Sequence, residues 1–158
     1  SKLLPMIAAK SRDNARTPMQ WSAEENAGFT SGKPWIPVNP NYREINAEEE
    51  LSRPDSVFYY YQKLISLRHS SELIVYGHFE LLLPEDPELF VYRRYLPDRE
   101  LLVAANFSER EREYLPEERF LAGELLIHNM EGRSPQGGRL APYEAYVLEN
   151  RSGVCHDA

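Results

Sequence analysis

Two arginines bracket an Asp-Asn pair in Ser11-Arg12-Asp13-Asn14-Ala15-Arg16-Thr17-Pro18-Met19-Gln20-Trp21, the stretch of this chain best equipped for recognition chemistry. Asp and Asn favour a turn of the backbone, and Pro18 stiffens its exit. An arginine held on such a turn offers a planar fork of N–H donors to a sugar hydroxyl or a carboxylate. The competing structural reading pairs Arg12 and Arg16 with Asp13 and other acids, so that ion pairs pin a long loop. Residue chemistry alone favours that second reading, because ordinary ion-pair networks outnumber perturbed functional groups.

Other catalytic signatures are missing from the sequence. It has no glycine-rich phosphate loop, no Gly-x-Ser-x-Gly elbow and no paired histidines on a helix face. His69, His78, His128 and His156 lie far apart, without cysteines or carboxylates at ligand spacing, so no metal site is expected and each reads as surface or sheet-edge. The acids at 48–50 and 109–118 form charge runs of the kind that cover solvated faces, and nothing sets two carboxylates opposite each other for acid/base work. No catalytic residue and no cofactor are therefore assigned. Cys155 is the single cysteine, which excludes an internal disulfide and favours a reducing cytosol; it sits in a polar tail over 151–158 that reads as frayed.

The elements that must position the arginines are uneven. Residues 2–10 are apolar enough for one or two helical turns. From 11 to 53 neither helix period nor strand alternation persists, and Pro18, Gly28, Gly32, Pro34, Pro37 and Pro40 punctuate the run. A structureless stretch of that length is often functional, and Trp21, Phe29, Trp35 and Tyr42 imply that it packs against something. Over 54–70 a helix is expected, with Asp55 as N-cap and one apolar stripe of Val57, Tyr60, Tyr61, Leu64 and Leu67. The period then changes to two. Strands are expected over 73–83, 89–96, 100–107, 123–128 and 144–149, with Pro97-Asp98-Arg99 as a hairpin connection and a loop over 132–138. Phe79, Phe90, Tyr92 and Phe107 fall in the alternating strands and are expected in the core. The fold class is mixed α+β, a long loop and one helix leading into an antiparallel β-module.

Composition narrows the partners. The 158 residues carry 18 Lys+Arg against 25 Asp+Glu, a formal charge of −7. Without a basic block the chain lacks the footprint of a nucleic-acid binder, and anionic membrane surfaces are equally poor partners. No apolar run approaches the ~18 residues of a membrane helix, and no signal-peptide pattern is visible.

The arginine motif, followed by Asn26-Ala27-Gly28-Phe29-Thr30, Gly32-Lys33-Pro34-Trp35-Ile36, Val38-Asn39-Pro40-Asn41-Tyr42 and Ile45-Asn46, closely resembles glycoside hydrolase family 13. The nearest branch is that of oligo-1,6-glucosidase, alpha-glucosidase and trehalose-6-phosphate hydrolase. Asp55-Ser56-Val57-Phe58-Tyr59-Tyr60-Tyr61-Gln62, Val75-Tyr76-Gly77, Asn106-Phe107 and Pro142-Tyr143-Glu144-Ala145 continue the resemblance in order. It implies a C-terminal piece of a TIM-barrel enzyme. Residues 1–71 would hold the last βα loop and last helix of the barrel, 72–150 an antiparallel β-sandwich and 151–158 a disordered tail. The nucleophile and acid/base of a retaining mechanism would lie upstream, in the missing N-terminal barrel. By position in the motif Arg16 corresponds to an arginine that hydrogen-bonds the glucose at the non-reducing end, with Arg12 supporting it. The substrate would be an alpha-glucoside oligosaccharide or a phosphorylated disaccharide, and this chain alone would be inactive.

Two other classes stay open on the sequence. One is a non-catalytic partner subunit of the same fold, as in the heavy chains of amino-acid transporters, although the intact Arg12 to Trp21 motif favours an active parent. The other is a carbohydrate-binding β-module, which needs its aromatics exposed on a flat platform.

Overall fold

Short 3-10 turns and side-chain hydrogen bonds shape the first of the two units into which the chain divides, 1–62 and 63–158. The computed structural model describes residues 12–151. Turns at Arg12–Ala15, Glu25–Gly28 and Pro40–Arg43 precede a helix, α1, at Ala47–Ser52. Asn46 caps α1, its Oδ1 accepting from Glu49 N at 2.9 Å, and Glu48, Glu49 and Glu50 occupy the first turn, where the helix dipole favours negative charge. The sequence reading expected no helix in this stretch. A first turn made almost wholly of acids shows no apolar period, and that hid the helix.

The second helix, α2, spans Val57–Ser70 and ends where expected, but it starts later than residue 54. Ser56 carries the C=O that accepts the first intrahelical bond, from Tyr60 N at 3.1 Å, so Asp55 is not the cap. Glu50 of α1 does that work instead, with Oε2 accepting from Phe58 N at 3.3 Å. No residue of α2 is buried, and Val57, Tyr61 and Ile65 are among its exposed apolar side chains.

In the second unit the strand expected over 73–83 forms only at His78–Leu81, strand β1; its start is a helix, α3, at Glu72–Tyr76. Ser71 Oγ accepts from Ile74 N at 3.3 Å and starts the turn, and Gly77 ends it. A Cβ at Gly77 would stand 2.5 Å from Leu73 O, so the exit needs glycine. The period of two suggested a strand, but the serine cap and the burial of Leu73 outweigh that pattern.

The remaining strands are β2 Leu89–Leu96, β3 Arg99–Asn106, β4 Arg112–Glu113, β5 Glu124–His128, β6 Arg139–Leu140 and β7 Ala145–Asn150, with a short helix, α4, at Glu118–Leu121. β1, β2, β3, β7 and β5 form an antiparallel sheet in that order, and β4 pairs with β6. Leu96 pairs with Arg99, so the β2–β3 turn is the two residues Pro97 and Asp98.

One face of the sheet makes the core. Leu89, Val91, Leu102, Ala104, Tyr146 and Leu148 are buried together with Phe120 of α4 and Leu140 of β6. Each fully buried leucine contributes about 2 kcal/mol of hydrophobic stabilisation. The opposite face holds a surprise for the alternation argument: Phe79, Phe90 and Phe107 are exposed, and Tyr92 is half-buried beside them. Alternation identifies two faces but not which of them is covered. Among the described residues no helix is long and apolar enough to cross a membrane. The helical turns expected over 2–10 and the tail with Cys155 and His156 lie outside the described residues.

Candidate functional site

Arg12 opens a 3-10 turn and Arg16 follows directly after it, its backbone N donating to Asp13 O at 3.1 Å. Both guanidinium side chains are exposed, and among the described residues neither forms a salt bridge.

A lattice of amide side chains bonds across the loop. Gln20 Nε2 donates to Ile45 O and, at 3.2 Å, to Asn41 Oδ1, while the Gln20 and Trp21 carbonyls accept from Ala47 N at 2.9 Å and Glu48 N at 3.0 Å. The chain leaving the arginine motif is thus clamped to the start of α1. Asn46 Nδ2 donates to Tyr42 O at 2.9 Å while its Oδ1 caps α1, so one side chain joins the Pro40–Arg43 turn to the helix. Asn26 Nδ2 donates to Thr30 O and Gly32 O, each at 3.1 Å.

Three consecutive residues, Asn26, Ala27 and Gly28, have φ of 54°, 58° and 67°, and Ala27 is fully buried. A left-handed alanine is uncommon and marks a backbone that its surroundings over-determine. Trp21 N and Ser22 N both donate to Ala27 O, at 2.9 and 3.2 Å, and fix it there. The loop is therefore long but conformationally specified, a rigid mount for exposed groups.

Those groups include Trp35, which is 91% exposed, and Trp21, Phe29 and Met19, each about half exposed. Beside Arg16 in sequence, Thr17 begins the lining of a cavity of about 370 Å³ that continues through Pro18, Met19, Ile45, Ala47 and Phe58. Among the described residues no group of His, Cys, Asp and Glu could hold a metal ion.

Glu144 and Glu100, two of the buried carboxylates in the second unit, escaped the sequence reading. Glu144, 1% exposed, accepts from His128 Nε2 at 2.8 Å, Arg133 Nε at 2.8 Å and Ala141 N at 2.6 Å. Tyr143 takes φ 58° to aim it inward, and its C=O accepts from Asn129 Nδ2 at 2.7 Å. His128 lies on the edge strand β5, but its side chain is turned in and only 8% exposed. Glu100, also 1% exposed, pairs with Arg119 at 3.1 Å and Arg93 at 3.5 Å. Glu144 belongs to the Pro142-Tyr143-Glu144-Ala145 motif, the only sequence signal that could have singled it out. Buried charges paired in this way hold neighbouring segments together.

At the other end of β2, backbone N–H groups of Glu88 and Leu89, each 2.9 Å from Asp86 Oδ1, hold the Asp86 carboxyl below its ordinary range, with Arg112 adding to the effect. Arg110, bonded at 2.6 Å, and Arg112 do the same for Glu88. Burial raises the Tyr114 hydroxyl to about 12 and pushes Tyr146 higher still.

The motif, the clamped loop and the antiparallel module point to one class of protein: residues 1–77 match the family model described as alpha amylase, catalytic domain. The chain is 48% identical over 152 residues to an oligo-1,6-glucosidase of Bacillus cereus, a match covering 94% of this chain and 27% of that protein. A crystal structure of trehalose-6-phosphate hydrolase from Bacillus licheniformis superposes with a TM-score of 0.86 at 44% identity, over 96% of this chain and 28% of that one. An isomaltulose synthase from Klebsiella sp. LX3 matches with a TM-score of 0.82 at 41% identity, over 89% of this chain and 26% of that one. The chain thus spans little more than a quarter of the length of these relatives.

Proposed function

We propose that the chain is the C-terminal part of a retaining alpha-glucosidase that hydrolyses alpha-glucosidic bonds in short oligosaccharides or in trehalose 6-phosphate. The observation that carries this reading is the conjunction of an intact Arg12 to Trp21 motif, its two arginines exposed on a hydrogen-bonded loop, with 48% identity to an oligo-1,6-glucosidase. On this reading 1–71 is the end of a (β/α)8 barrel, its last βα loop and helix, and 72–150 is a β-sandwich. Barrel chemistry sits on βα loops, which is where the motif would then lie. The protein would act in the cytoplasm, consistent with its single cysteine.

Arg16 is the substrate contact. Its guanidinium donates to hydroxyls of the glucose at the non-reducing end and, being planar and always charged, fixes that ring in one orientation. Arg12 supports the same loop from the other side of the 3-10 turn. The nucleophile and the acid/base are supplied by the preceding part of the barrel, where they form and then hydrolyse a covalent glycosyl intermediate. Arg16 lowers the barrier by positioning: it holds the anomeric carbon where the nucleophile can reach it. Linkage choice belongs to loops outside this chain, since relatives named as hydrolases and as a synthase share this region.

The test uses p-nitrophenyl alpha-glucoside. The isolated chain is expected to show no turnover. Joined to the N-terminal three-quarters of the Bacillus cereus relative, at the point where the two sequences align, it is expected to hydrolyse the substrate. Turnover by the isolated chain, or a folded but inert fusion, contradicts the proposal.

A further inference from the structure

Gln20 is the first residue after Arg16 that hydrogen-bonds to another segment of its unit. Among the described residues, Thr17, Pro18 and Met19 make no hydrogen bond. Gln20 then makes three. Its Nε2 carries two N–H donors, and these go to Asn41 Oδ1 at 3.2 Å and to Ile45 O, while its C=O accepts from Ala47 N at 2.9 Å. The stretch between Arg16 and Gln20 is stiff. Pro18 is buried, its ring locks its own φ, and it biases Thr17 before it towards an extended backbone. Wherever Gln20 is fixed, this short strut passes the placement on to Arg16.

On the upstream side, Arg16 N donates to Asp13 O at 3.1 Å, a bond that stays inside the motif and ties it to no other segment. The downstream anchor is different, because the turn that receives the Gln20 amide is itself closed. Glu44 N and Ile45 N both donate to Asn41 O, at 3.0 and 2.9 Å, and Asn46 Nδ2 donates to Tyr42 O at 2.9 Å. Gln20 therefore grips a cross-bonded turn rather than a free loop end.

Backbone and side chain divide the work at this point. The bonds from Ala47 N to Gln20 O, from Glu48 N to Trp21 O and from Trp21 N to Ala27 O hold the chain to α1 and to the left-handed turn, whatever side chain stands at position 20. The carboxamide adds the grip on Asn41 and Ile45. Removing it leaves the chain tethered and loosens the direction in which the strut points.

We propose that Gln20 is a positioning residue for Arg16, its carboxamide locking the strut that carries the Arg16 guanidinium to the place where it meets the glucose ring. The inference rests on the proposed function, which makes Arg16 the sugar contact. Gln20 itself touches no sugar and acts through Arg16. A misplacement of about 1 Å can cost about two orders of magnitude in rate, and a positioning residue costs no more than the group it positions.

Two substitutions test it. Gln20→Met keeps the length of the side chain without its donors, and Gln20→Glu sets a carboxylate against Asn41 Oδ1 and Ile45 O. Each is made in the fusion to the Bacillus cereus N-terminal part, once with Arg16 intact and once with Arg16→Ala. The readouts are kcat and KM for p-nitrophenyl alpha-glucoside, together with the melting temperature of each protein. With Arg16 present, Gln20→Met should lower kcat/KM by roughly 3- to 10-fold and Gln20→Glu by more, neither beyond the loss caused by Arg16→Ala itself. In the Arg16→Ala background both should change kcat/KM by less than about twofold, because no guanidinium is left to misplace. Equal losses in the two backgrounds would make the side chain a support of the loop alone and overturn the proposal, with Arg16 still the sugar contact. Full kcat/KM of both variants with Arg16 in place overturns it as well, and so does a failure of both variants to fold. An active fusion that keeps full kcat/KM with Arg16→Ala removes the sugar contact and the positioning role together.

Discussion

At the scale of single residues, a side chain's effect follows from how many partners it leaves behind. Glu144 accepts from three donors inside the module. Glu144→Leu strands Arg133 and His128 and should cost about 3 kcal/mol, read as a drop of about 10 °C or more in melting temperature; a shift under 2 °C would mean that the cluster is incidental. Tyr114 gives a pH signature. Its hydroxyl is held up to about 12, chiefly by burial, so the folded state keeps it neutral while the unfolded chain ionises near 10. This contribution to stability is complete below pH 10 and is lost between about 10 and 12. Absorbance at 295 nm during an alkaline titration checks it, with a late-ionising class of tyrosine expected before unfolding. These residues were hard to read in advance. Nothing in the spacing of Glu144, His128 and Arg133 brings them together; the β5–β7 pairing and a left-handed Tyr143 do.

At the scale of elements, close approach of backbones decides what is tolerated. A Cβ at Gly123 would stand 2.2 Å from Glu149 O, because α4 turns into β5 directly against β7. Gly123→Ala must push two strands apart and should cost about 1–3 kcal/mol, measurable as a lower urea midpoint; an unchanged midpoint would show that the β5 edge yields freely. The hairpin β2–β3 and the end of α2 at Ser70 were legible in the sequence, since both depend on local turn chemistry and periodicity. α1 and α3 were not. One begins with three acids that show no apolar period, and the other opens a run whose period of two reads as strand. In both cases a polar cap, Asn46 or Ser71, carries the decision. The wrong sheet face was assigned to the core for a related reason: alternation cannot say which side the Phe120 and Leu140 layer covers.

At the scale of the whole molecule, the charge network at the end of β2 ties the β1–β2 loop to β4. Asp86 and Glu88 are held below the ordinary carboxylate range near 4, so their pairing stabilises the fold above that range and is lost as pH falls through their lowered values. Arg112→Gln should therefore lower the melting temperature at pH 7, and by progressively less as pH falls below the ordinary carboxylate range and the partners become protonated. A difference that persists at the acid end would assign the effect to packing of the arginine stem instead.

The candidate site was legible as a motif, but its support was not. Residue chemistry alone favoured arginines that pin the loop, while the resemblance gave Arg16 to a sugar; among the described residues amide side chains bond across the loop, and both arginines are exposed. That exposure is the basis of the central claim, that Arg16 is available to a sugar. The most direct measurement is kcat/KM of the fusion enzyme for p-nitrophenyl alpha-glucoside with and without Arg16→Ala, alongside the melting temperature of each. Loss of a charge-assisted contact worth about 1.5–3 kcal/mol predicts a fall of roughly 10- to 100-fold with the melting temperature unchanged, since the side chain supports no other described residue. An Arg16→Ala enzyme with full kcat/KM contradicts the account.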